Sequence, residues 1–426
     1  RRRRRRRRRG GPLLSVRAKG RGDAVPGALV GLAIGDAVGL RVEGNVPARC
    51  REYADDLEGS LRRSASASAS SPEANLSSAF LEKWPGRWPF GQYTDDTQLS
   101  RELLLAVVDE AEAKHGDVRG GVEDASGRLV CRYADRIAAL YKASRIVGCG
   151  MATAKAMTRI IKGGKLNEVG SKEGLAGNSP SVRGVMMGLL LPPVFGGESG
   201  LLDACCGQSR LTHRDPFSIL CALVMCVAVR EILELITSKD GGTLDTIESR
   251  REFLSRISNA VAEYCRGSET VDPKQELKSK GRLGTIQSCL QQVGDLLSQP
   301  FEKALAKARA MGYDGGMYKE DFKEGVSGFA VPSTMWSLYT FLRSPGDFEE
   351  TLLATIYGGG DTDSTGALAC GLSGCYVGIA NLPKVLKDGL QDQGPKLWNA
   401  EKLEELGIKI STFGAKHCPV TITSST

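Results

Sequence analysis

Ten residues near the C-terminal end of the chain decide its fold: Tyr357-Gly358-Gly359-Gly360-Asp361-Thr362-Asp363-Ser364-Thr365-Gly366. Three glycines lead into two carboxylates two positions apart, with hydroxyl side chains between and after them. Small and apolar residues follow at helical spacing over residues 367–379, so the carboxylates lie at the start of a predicted helix. Carboxylates this close repel each other and usually need a cation or a proton between them. The stretch therefore predicts oxygen ligands for a cation at a helix N-terminus.

A second cluster of the same chemistry, Thr94-Asp95-Asp96-Thr97, lies far upstream. Leucine and valine recur at helical spacing from Leu99 to Val108, so this cluster also lies at or near a helix N-terminus. Taken alone, such a sequence is more often a helix cap with a dipole-stabilising acid, worth about 1 kcal/mol each, than a metal site. The question is whether the two acidic clusters meet in the folded chain.

A third signal lies in a predicted helix over residues 25–39, where glycine and alanine recur every three or four residues and allow close packing. It contains the pattern Gly35-Asp36-x-x-Gly39, and Glu43 follows in a turn. For Asp36, a polar group at a helix end is an equal alternative to a functional role.

Two further stretches carry weaker signals. Residues 174–183 form a loop that opens another helix, and their glycines and small hydroxyls leave backbone N–H groups for an anion such as a diphosphate. Many helices start in this way, so the loop alone does not establish a site. His213 precedes the most hydrophobic helix, which it could simply cap.

The composition is that of an ordinary soluble globular chain: 426 residues, 41% hydrophobic and 25% charged. By length alone we would expect two or three domains. The net charge of +7 comes from nine arginines at residues 1–9, and the other 48 basic residues face 50 acidic ones. The body of the chain therefore gives no reason to expect a specific nucleic-acid partner. Residues 1–22 are predicted to be a disordered Arg-rich tail. They contain no acid, as in a transit peptide, but a run of arginines is not amphipathic.

Cysteine and histidine usage limits the kind of site. The 12 cysteines show no CxxC pair or zinc spacing, which favours a reducing compartment. With only three histidines, a metal site would have to be built from oxygen ligands. The longest apolar run, residues 217–229, is too short to span a membrane.

Helical periodicity dominates, so the chain is predicted to be all-α. A low-complexity Ser/Ala-rich loop is predicted at 59–79, a polar peripheral excursion at 237–285, and a short strand at 420–423.

Five ordered signals run through this sequence: Gly35-Asp36-x-x-Gly39 with Glu43; Thr94-Asp95-Asp96-Thr97; Gly177-Asn178 with Arg183; Thr212-His213-x-x-Pro216; and Gly359-Gly360-Asp361-Thr362-Asp363-Ser364-x-Gly366. This series resembles the ADP-ribosylglycohydrolase family, which includes the dinitrogenase-reductase-activating glycohydrolases and the eukaryotic ADP-ribosyl-acceptor hydrolases. The resemblance runs from about Val25 to Pro383, and residues 327–332 strengthen it.

The resemblance implies a single compact multi-helix domain, residues 23–426, with a dinuclear magnesium centre that could also take manganese. Carried across position by position, the expected metal ligands are Thr94, Asp95, Asp96, Asp361, Asp363 and Ser364. Glu43 and Asp96 are the two candidates for the catalytic acid or base, and the sequence does not decide between them. The positions that match the substrate-binding segment are Gly174, Gly177, Asn178, Ser179 and His213.

Two positions depart from the pattern of the family. Ser179-Pro180 stands where glycine and a small residue are usual, so the phosphate loop loses flexibility and the backbone donor at Pro180. Ala176 stands where some relatives place an aromatic that stacks on the substrate.

The predicted function is a magnesium-dependent hydrolase that cleaves the glycosidic bond between ADP-ribose and an acceptor, either a protein side chain or a small conjugate. One alternative is a catalytically inactive, crystallin-like or ligand-binding relative. The other is a hydrolase of the same fold with a different glycosidic or phosphate substrate. We expect a cytoplasmic monomer with no membrane partner. Organellar or nuclear targeting by the Arg-rich tail is the alternative.

Overall fold

The computed structural model describes residues 17–66, 76–112, 124–171, 174–238, 242–267, 273–312, 325–394 and 397–413. Within these ranges the chain forms seventeen α-helices and no β-strand, which confirms the all-α prediction. The helices are α1 (Arg21–Gly39), α2 (Pro47–Ser66), α3 (Ser78–Lys83), α4 (Asp95–Glu112), α5 (Ala125–Lys142), α6 (Met151–Ile161), α7 (Ser179–Gly188), α8 (Glu198–Arg210), α9 (Pro216–Thr237), α10 (Ile247–Gly267), α11 (Pro273–Leu296), α12 (Phe301–Ala308), α13 (Ala330–Arg343), α14 (Phe348–Ile356), α15 (Thr362–Val377), α16 (Lys384–Asp388) and α17 (Ala400–Phe413).

The N-terminal boundary differs from the predicted one. Ala18 is buried and its backbone N–H donates to the carbonyl of Tyr376 at 2.8 Å, and α1 already begins at Arg21. The predicted tail over residues 1–22 is therefore too long by its last residues. Its first sixteen residues, with the arginine run, lie outside the described part of the chain.

The segment predicted as a loop at 59–79 is helical at both of its ends. Residues 59–66 complete α2, because Leu57 and Leu61 continue the buried face that begins at Tyr53. At the other end, α3 begins at Ser78, and the Ser77 hydroxyl accepts the backbone N–H of Phe80 as its N-cap. Residues 67–75, between these ends, are not among those described.

The segment predicted as a peripheral excursion, residues 237–285, contributes to the core. Within it, α10 buries Phe253, Ile257 and Val261, which recur every four residues and form one apolar face. The polar residues Arg251, Glu252, Asn259 and Glu263 of the same helix are exposed, so α10 is amphipathic. The strand predicted at 420–423 falls outside the described residues.

The centre of the fold is the crossing of α1 and α15. A Cβ atom placed on Gly35 would lie 2.0 Å from the carbonyl oxygen of Gly366, and one on Gly374 would lie 2.1 Å from the carbonyl oxygen of Gly27. No side chain fits there, so the two backbones touch. Glycine costs helix stability by about 1 kcal/mol per residue, and the close contact between the two helices offsets that cost. This seam brings the end of α1 next to the start of α15.

Helix α1 is also unusually apolar. Residues 21–42 form a 22-residue helical stretch that contains an 18-residue window with mean hydropathy 1.5, which is long and apolar enough to cross a membrane by length and composition alone. The prediction that no run reaches that length is wrong for this helix. In the structure 89% of that window is buried inside the fold, as expected of a core helix.

Helix α4 is held by a buried ionic network. Arg101, 1% exposed, donates to Asp392 at 2.7 Å and to Glu102 at 2.9 Å, and its guanidinium lies over the ring of Trp398. The amide of Gln98 also donates to Asp392 at 2.7 Å. A segment near the C-terminus therefore fixes the position of the helix that begins with the Thr94 cluster.

Candidate metal centre

The start of α15 is shaped by a glycine turn. Gly359 and Gly360 have φ values of +61° and +75°, a backbone region that favours glycine. A Cβ atom on Gly360 would lie 2.2 Å from the carbonyl oxygen of Val326, and the same carbonyl accepts the backbone N–H of Asp361 at 2.8 Å. The turn thus lies flat against residues 325–328 and directs the carboxylates of Asp361 and Asp363 to one side.

The Thr94 cluster is fixed by a carboxylate from α1. Asp36 is completely buried and accepts the backbone N–H of Thr94 at 3.0 Å, the backbone N–H of Thr97 at 3.1 Å and the hydroxyl of Thr97 at 2.6 Å. It therefore acts as the N-terminal cap of α4 from another helix. Gly35 to Gly39 form the last turn of α1, which ends at Gly39.

Glu43 follows α1 after a 3-10 turn, Leu40–Val42. Two contacts tie this turn to the start of α15: the hydroxyl of Thr362 donates to the carbonyl of Gly39 at 2.8 Å, and the backbone N–H of Gly44 donates to the carbonyl of Gly360 at 2.8 Å. As a result, carboxylate oxygens of Glu43, Asp361 and Asp363 all lie within 4.8 Å of one another.

The two acidic clusters meet in one cavity of about 520 Å³. Asp95 and Asp96 line it from the start of α4, and Asp361, Asp363 and Ser364 line it from the start of α15. Glu43 lies exposed at its mouth. Thr94, the sixth predicted ligand, is not among the lining residues; its hydroxyl instead accepts the backbone N–H of Asp96 at 3.3 Å.

The carboxylates strongly disfavour one another's charge. Burial raises the pKa of Asp95 to about 8, with a further contribution from Asp36. Burial also raises the pKa of Asp96, where Asp95 adds to the effect, and that of Asp363, where Asp361 and Glu43 add to it. The pKa of Glu43 also rises, through partial desolvation of its carboxylate at the mouth of the cavity and through the charge of Asp361. Such a cluster is stable in its charged form only with positive charge beside it.

The residues present fit a divalent cation. The Oδ1 atom of Asp363 is buried and has no hydrogen-bond partner, which is costly for a polar atom unless another group binds it. Every group facing the acidic side of the cavity offers oxygen, the donor that hard cations such as Mg²⁺ and Mn²⁺ prefer. The cluster of Glu43, Asp361 and Asp363 is therefore the best candidate for holding a metal ion, with Asp95 and Asp96 facing it.

Four of the five predicted substrate-binding residues line the same cavity: Gly177, Asn178, Ser179 and His213. Asn178 has a different contact from the expected one, because its amide donates to the Oδ2 atom of Asp361 at 2.6 Å and so orients a candidate metal ligand. Gly174, with φ of +97°, does not line the cavity; its backbone N–H donates to Asp215 at 2.7 Å.

Ala176, which stands where some relatives have an aromatic residue, is buried. Its carbonyl accepts the backbone N–H of Ala330 at 2.8 Å, and it is not among the lining residues. The exposed neighbour is Leu175, 51% accessible.

Two parts of the wall were not predicted. One is the loop and first helical turn over residues 148–153, and the other is the segment 325–328. Glycines 148 and 150 were visible only as helix breaks, and the backbone N–H of Asp95 reaches this loop by donating to the carbonyl of Val147 at 2.7 Å. No local pattern could have indicated that contact.

Comparison with known proteins gives the same picture as the geometry. The family model described as ADP-ribosylglycohydrolase matches residues 17–415 of the chain. A solved structure, an ADP-ribosylglycohydrolase-related protein complex, is similar over 93% of this chain and 99% of that chain, with 21% sequence identity and a TM-score of 0.53. At that identity the likeness is evidence of fold alone. No curated protein matches the sequence.

Proposed function

The chain belongs to the ADP-ribosylglycohydrolase family, metal-dependent hydrolases of ADP-ribosylated substrates, and we propose that it uses magnesium to cleave the bond between ADP-ribose and an acceptor. The acceptor would be a protein side chain or the small-molecule part of a conjugate. One observation carries the proposal: five carboxylates from three separate elements face one cavity, and one of their oxygens is buried without a partner.

The donor set favours two ions of Mg²⁺, with Mn²⁺ as the substitute. Glu43, Asp361 and Asp363 would bind metal from one side of the cavity. Asp95, Asp96 and Ser364 would bind it from the other. A hard dication bound there orients sugar hydroxyls and makes water more acidic. The amide of Asn178, bonded to Asp361, fixes the orientation of one of these carboxylates, as outer-shell partners of metal ligands do.

We assign the acid or base role to Glu43 rather than to Asp96. Asp96 is 6% exposed and is surrounded by Asp95, Asp361 and Ser364, so it has little access to solvent protons. Glu43 is exposed at the mouth, and desolvation and the charge of Asp361 raise its pKa above the usual glutamate value, so it holds a proton more readily than an ordinary glutamate. In this position it can give a proton to the departing acceptor or take one from the attacking water.

The cavity also has room for the rest of ADP-ribose. The ribose next to the cleaved bond would lie against the carboxylates, because cleavage at the anomeric carbon builds positive charge that they stabilise. The diphosphate would extend along Gly177 and Ser179 toward His213, at the start of α7.

The test is release of ADP-ribose from arginine-, serine- and acetyl-linked conjugates, with Mg²⁺, with Mn²⁺ and with a chelator. The wild type should release ADP-ribose from at least one conjugate only when metal is present. Asp361→Asn with Asp363→Asn should abolish release. A matched control is Asp388→Asn, an exposed carboxylate that pairs with Lys384 on α16 away from the cavity.

Three outcomes would contradict the proposal. Release that survives in the double variant would refute the metal assignment. Release from no conjugate, despite measurable binding of Mg²⁺ and ADP-ribose, would favour a ligand-binding relative. A Glu43→Gln variant that keeps full turnover while Asp96→Asn loses only catalysis and not metal affinity would reverse the roles given to these two residues.

A further inference from the structure

Arg183, on α7, is a buried cation whose charge attracts that of Asp95 at longer range but that has no carboxylate of the described residues at ion-pair distance. It is 1% exposed. Its guanidinium donates to four neutral oxygens: Oε1 of Gln208 at 2.6 Å, Oγ of Ser179 at 2.7 Å, Oγ1 of Thr212 at 2.6 Å and the backbone carbonyl of Gln208 at 3.5 Å. Burying a charge in this way is costly unless something compensates it. Two hydrogen-bonded paths, one through the hydroxyl of Ser179 and one through that of Thr212, connect Arg183 with residues that line the cavity.

The first path ends at Ser179. A guanidinium can only donate hydrogen bonds, so the hydroxyl oxygen of Ser179 must be the acceptor. The hydrogen of that hydroxyl is then left for another acceptor, and no described residue takes it. Because Ser179 lines the cavity, this hydrogen is available to a ligand there.

The second path ends at His213. Thr212 accepts from Arg183, and its own hydroxyl hydrogen can go to Nδ1 of His213 at 3.0 Å or to the carbonyl of Ser209 at 3.4 Å. The Ser209 carbonyl already accepts the backbone N–H groups of Thr212 and His213, at 3.1 and 2.9 Å. The shorter and less occupied acceptor is therefore Nδ1.

When Nδ1 of His213 accepts, the proton of the neutral ring is on Nε2. Burial, with a contribution from Arg183, lowers the pKa of His213 to about 3, so the ring stays neutral. Nε2 faces Gly177 at the cavity wall: a Cβ atom on Gly177 would lie 2.7 Å from it. Both paths thus begin at a group that can only donate and end in a donor at the cavity.

We propose that Arg183 is a positioning residue that turns Ser179 and His213 into hydrogen-bond donors toward the cavity and gives this wall its positive charge, so that the wall binds the phosphate groups of the ligand. The inference rests on the proposed function only for the identity of that anion as the diphosphate of ADP-ribose. The cavity would then have one wall of carboxylates that binds cations and one wall of hydrogen-bond donors that binds an anion.

The hydrogen-bond directions can be measured without a substrate. Long-range ¹H–¹⁵N spectra of ¹⁵N-labelled protein at neutral pH report which ring nitrogen carries the proton, and His213→Gln identifies the signal among the three histidines. We expect the Nε2–H form in the wild type and a shift toward a mixture in Thr212→Val, which interrupts the path. A wild-type ring protonated on Nδ1 would overturn the proposal.

The anion wall is tested by comparing the binding of ADP and adenosine by calorimetry. Arg183→Met should weaken ADP binding at least about tenfold relative to adenosine, since hydrogen bonds from Ser179 and His213 to a charged phosphate contribute at least that much. Arg183→Lys should recover part of the difference. The control is Arg230→Met, which removes an arginine paired with Glu198 on the surface. Equal weakening of ADP and adenosine would show a structural role only and refute the proposal.

Thr212→Val keeps the buried charge and covers the case in which Arg183→Met does not fold. It should lower the preference for ADP over adenosine by a smaller factor. A wild type that binds ADP no better than adenosine refutes the anion wall even if ADP-ribose is released from conjugates. ADP preference that depends on Arg183 supports it even if no conjugate is cleaved, so the two proposals fail separately.

Discussion

Replacing Asp36 by alanine should destabilise the protein and weaken its metal site at the same time. The carboxylate accepts the backbone N–H groups of Thr94 and Thr97 in a fully buried environment. Each buried N–H left without a partner costs about 1–3 kcal/mol, so the two together cost roughly 2–6 kcal/mol. The hydroxyl of Thr97 can rotate to another acceptor and adds little.

Two effects act in the opposite direction. Burial raises the pKa of Asp36 to about 7, so removing it also removes part of the cost of a buried charge. Asp36 further raises the pKa of Asp95 and Asp96, and its loss lessens that repulsion. Unpaired N–H groups outweigh partial relief of charge, so we expect a net loss of about 2–4 kcal/mol in the free energy of unfolding.

Urea unfolding in a chelator measures the stability, and calorimetric titration with Mg²⁺ measures the affinity. Affinity should fall about 10- to 100-fold, as it does when residues that orient metal ligands are removed. Asp36→Asn keeps one acceptor oxygen and should lie between alanine and wild type. As a control, Thr340→Val removes a buried hydroxyl that donates within α13 and accepts from Thr355 on α14, and it should leave the Mg²⁺ affinity unchanged. If Asp36→Ala unfolds within 1 kcal/mol of the wild type, the capping argument fails.

Three other perturbations follow from the same structure. Gly366→Ala places a Cβ atom 2.4 Å from the carbonyl oxygen of Gly35 and should cost about 3 kcal/mol, measured by thermal melting. The folded pKa of His213 lies below its unfolded value, so between pH 7.5 and 5.5 the wild type should lose about 1 kcal/mol of stability relative to His213→Gln, measured by urea unfolding of both proteins at both pH values. The raised pKa values of Asp36 and Asp95 stabilise both proteins equally as the pH falls, so the difference between the two proteins isolates His213. Mg²⁺ should raise the melting temperature of the wild type, and Asp363→Asn should abolish that increase while a chelator reverses it.

Helix starts were the part of the site that the sequence predicted best. Asp95 and Asp361 each stand where an apolar helical pattern begins, and the structure begins or caps a helix at both. A helix N-terminus collects polar groups for local reasons, so local sequence reveals it. Charge also helped, because clustered carboxylates without basic neighbours indicate a cation.

Partners across the fold could not be predicted in the same way. The contact of Asn178 with Asp361 and that of Asp36 with Thr94 depend on how helices cross, which periodicity does not encode. The same is true of Arg183, whose lack of a carboxylate at ion-pair distance among the described residues becomes visible only when its surroundings are known. Low-complexity composition led to the wrong prediction of a loop at residues 59–66. These residues instead extend α2, because Leu61 continues its buried apolar face.

The dipeptide Gly35-Asp36 explains why the two acidic clusters have a fixed geometry. Adjacent residues point about 100° apart around a helix, so one residue can face α15 while the next faces α4. Gly35 contacts the backbone of Gly366, close to Asp361 and Asp363 at the start of α15. Asp36 accepts hydrogen bonds from the first turn of α4. The relative position of the clusters is therefore set by a single turn of α1, with no flexible segment between the two contacts. This rigidity is what allows mutually repelling carboxylates to be held together before a cation binds.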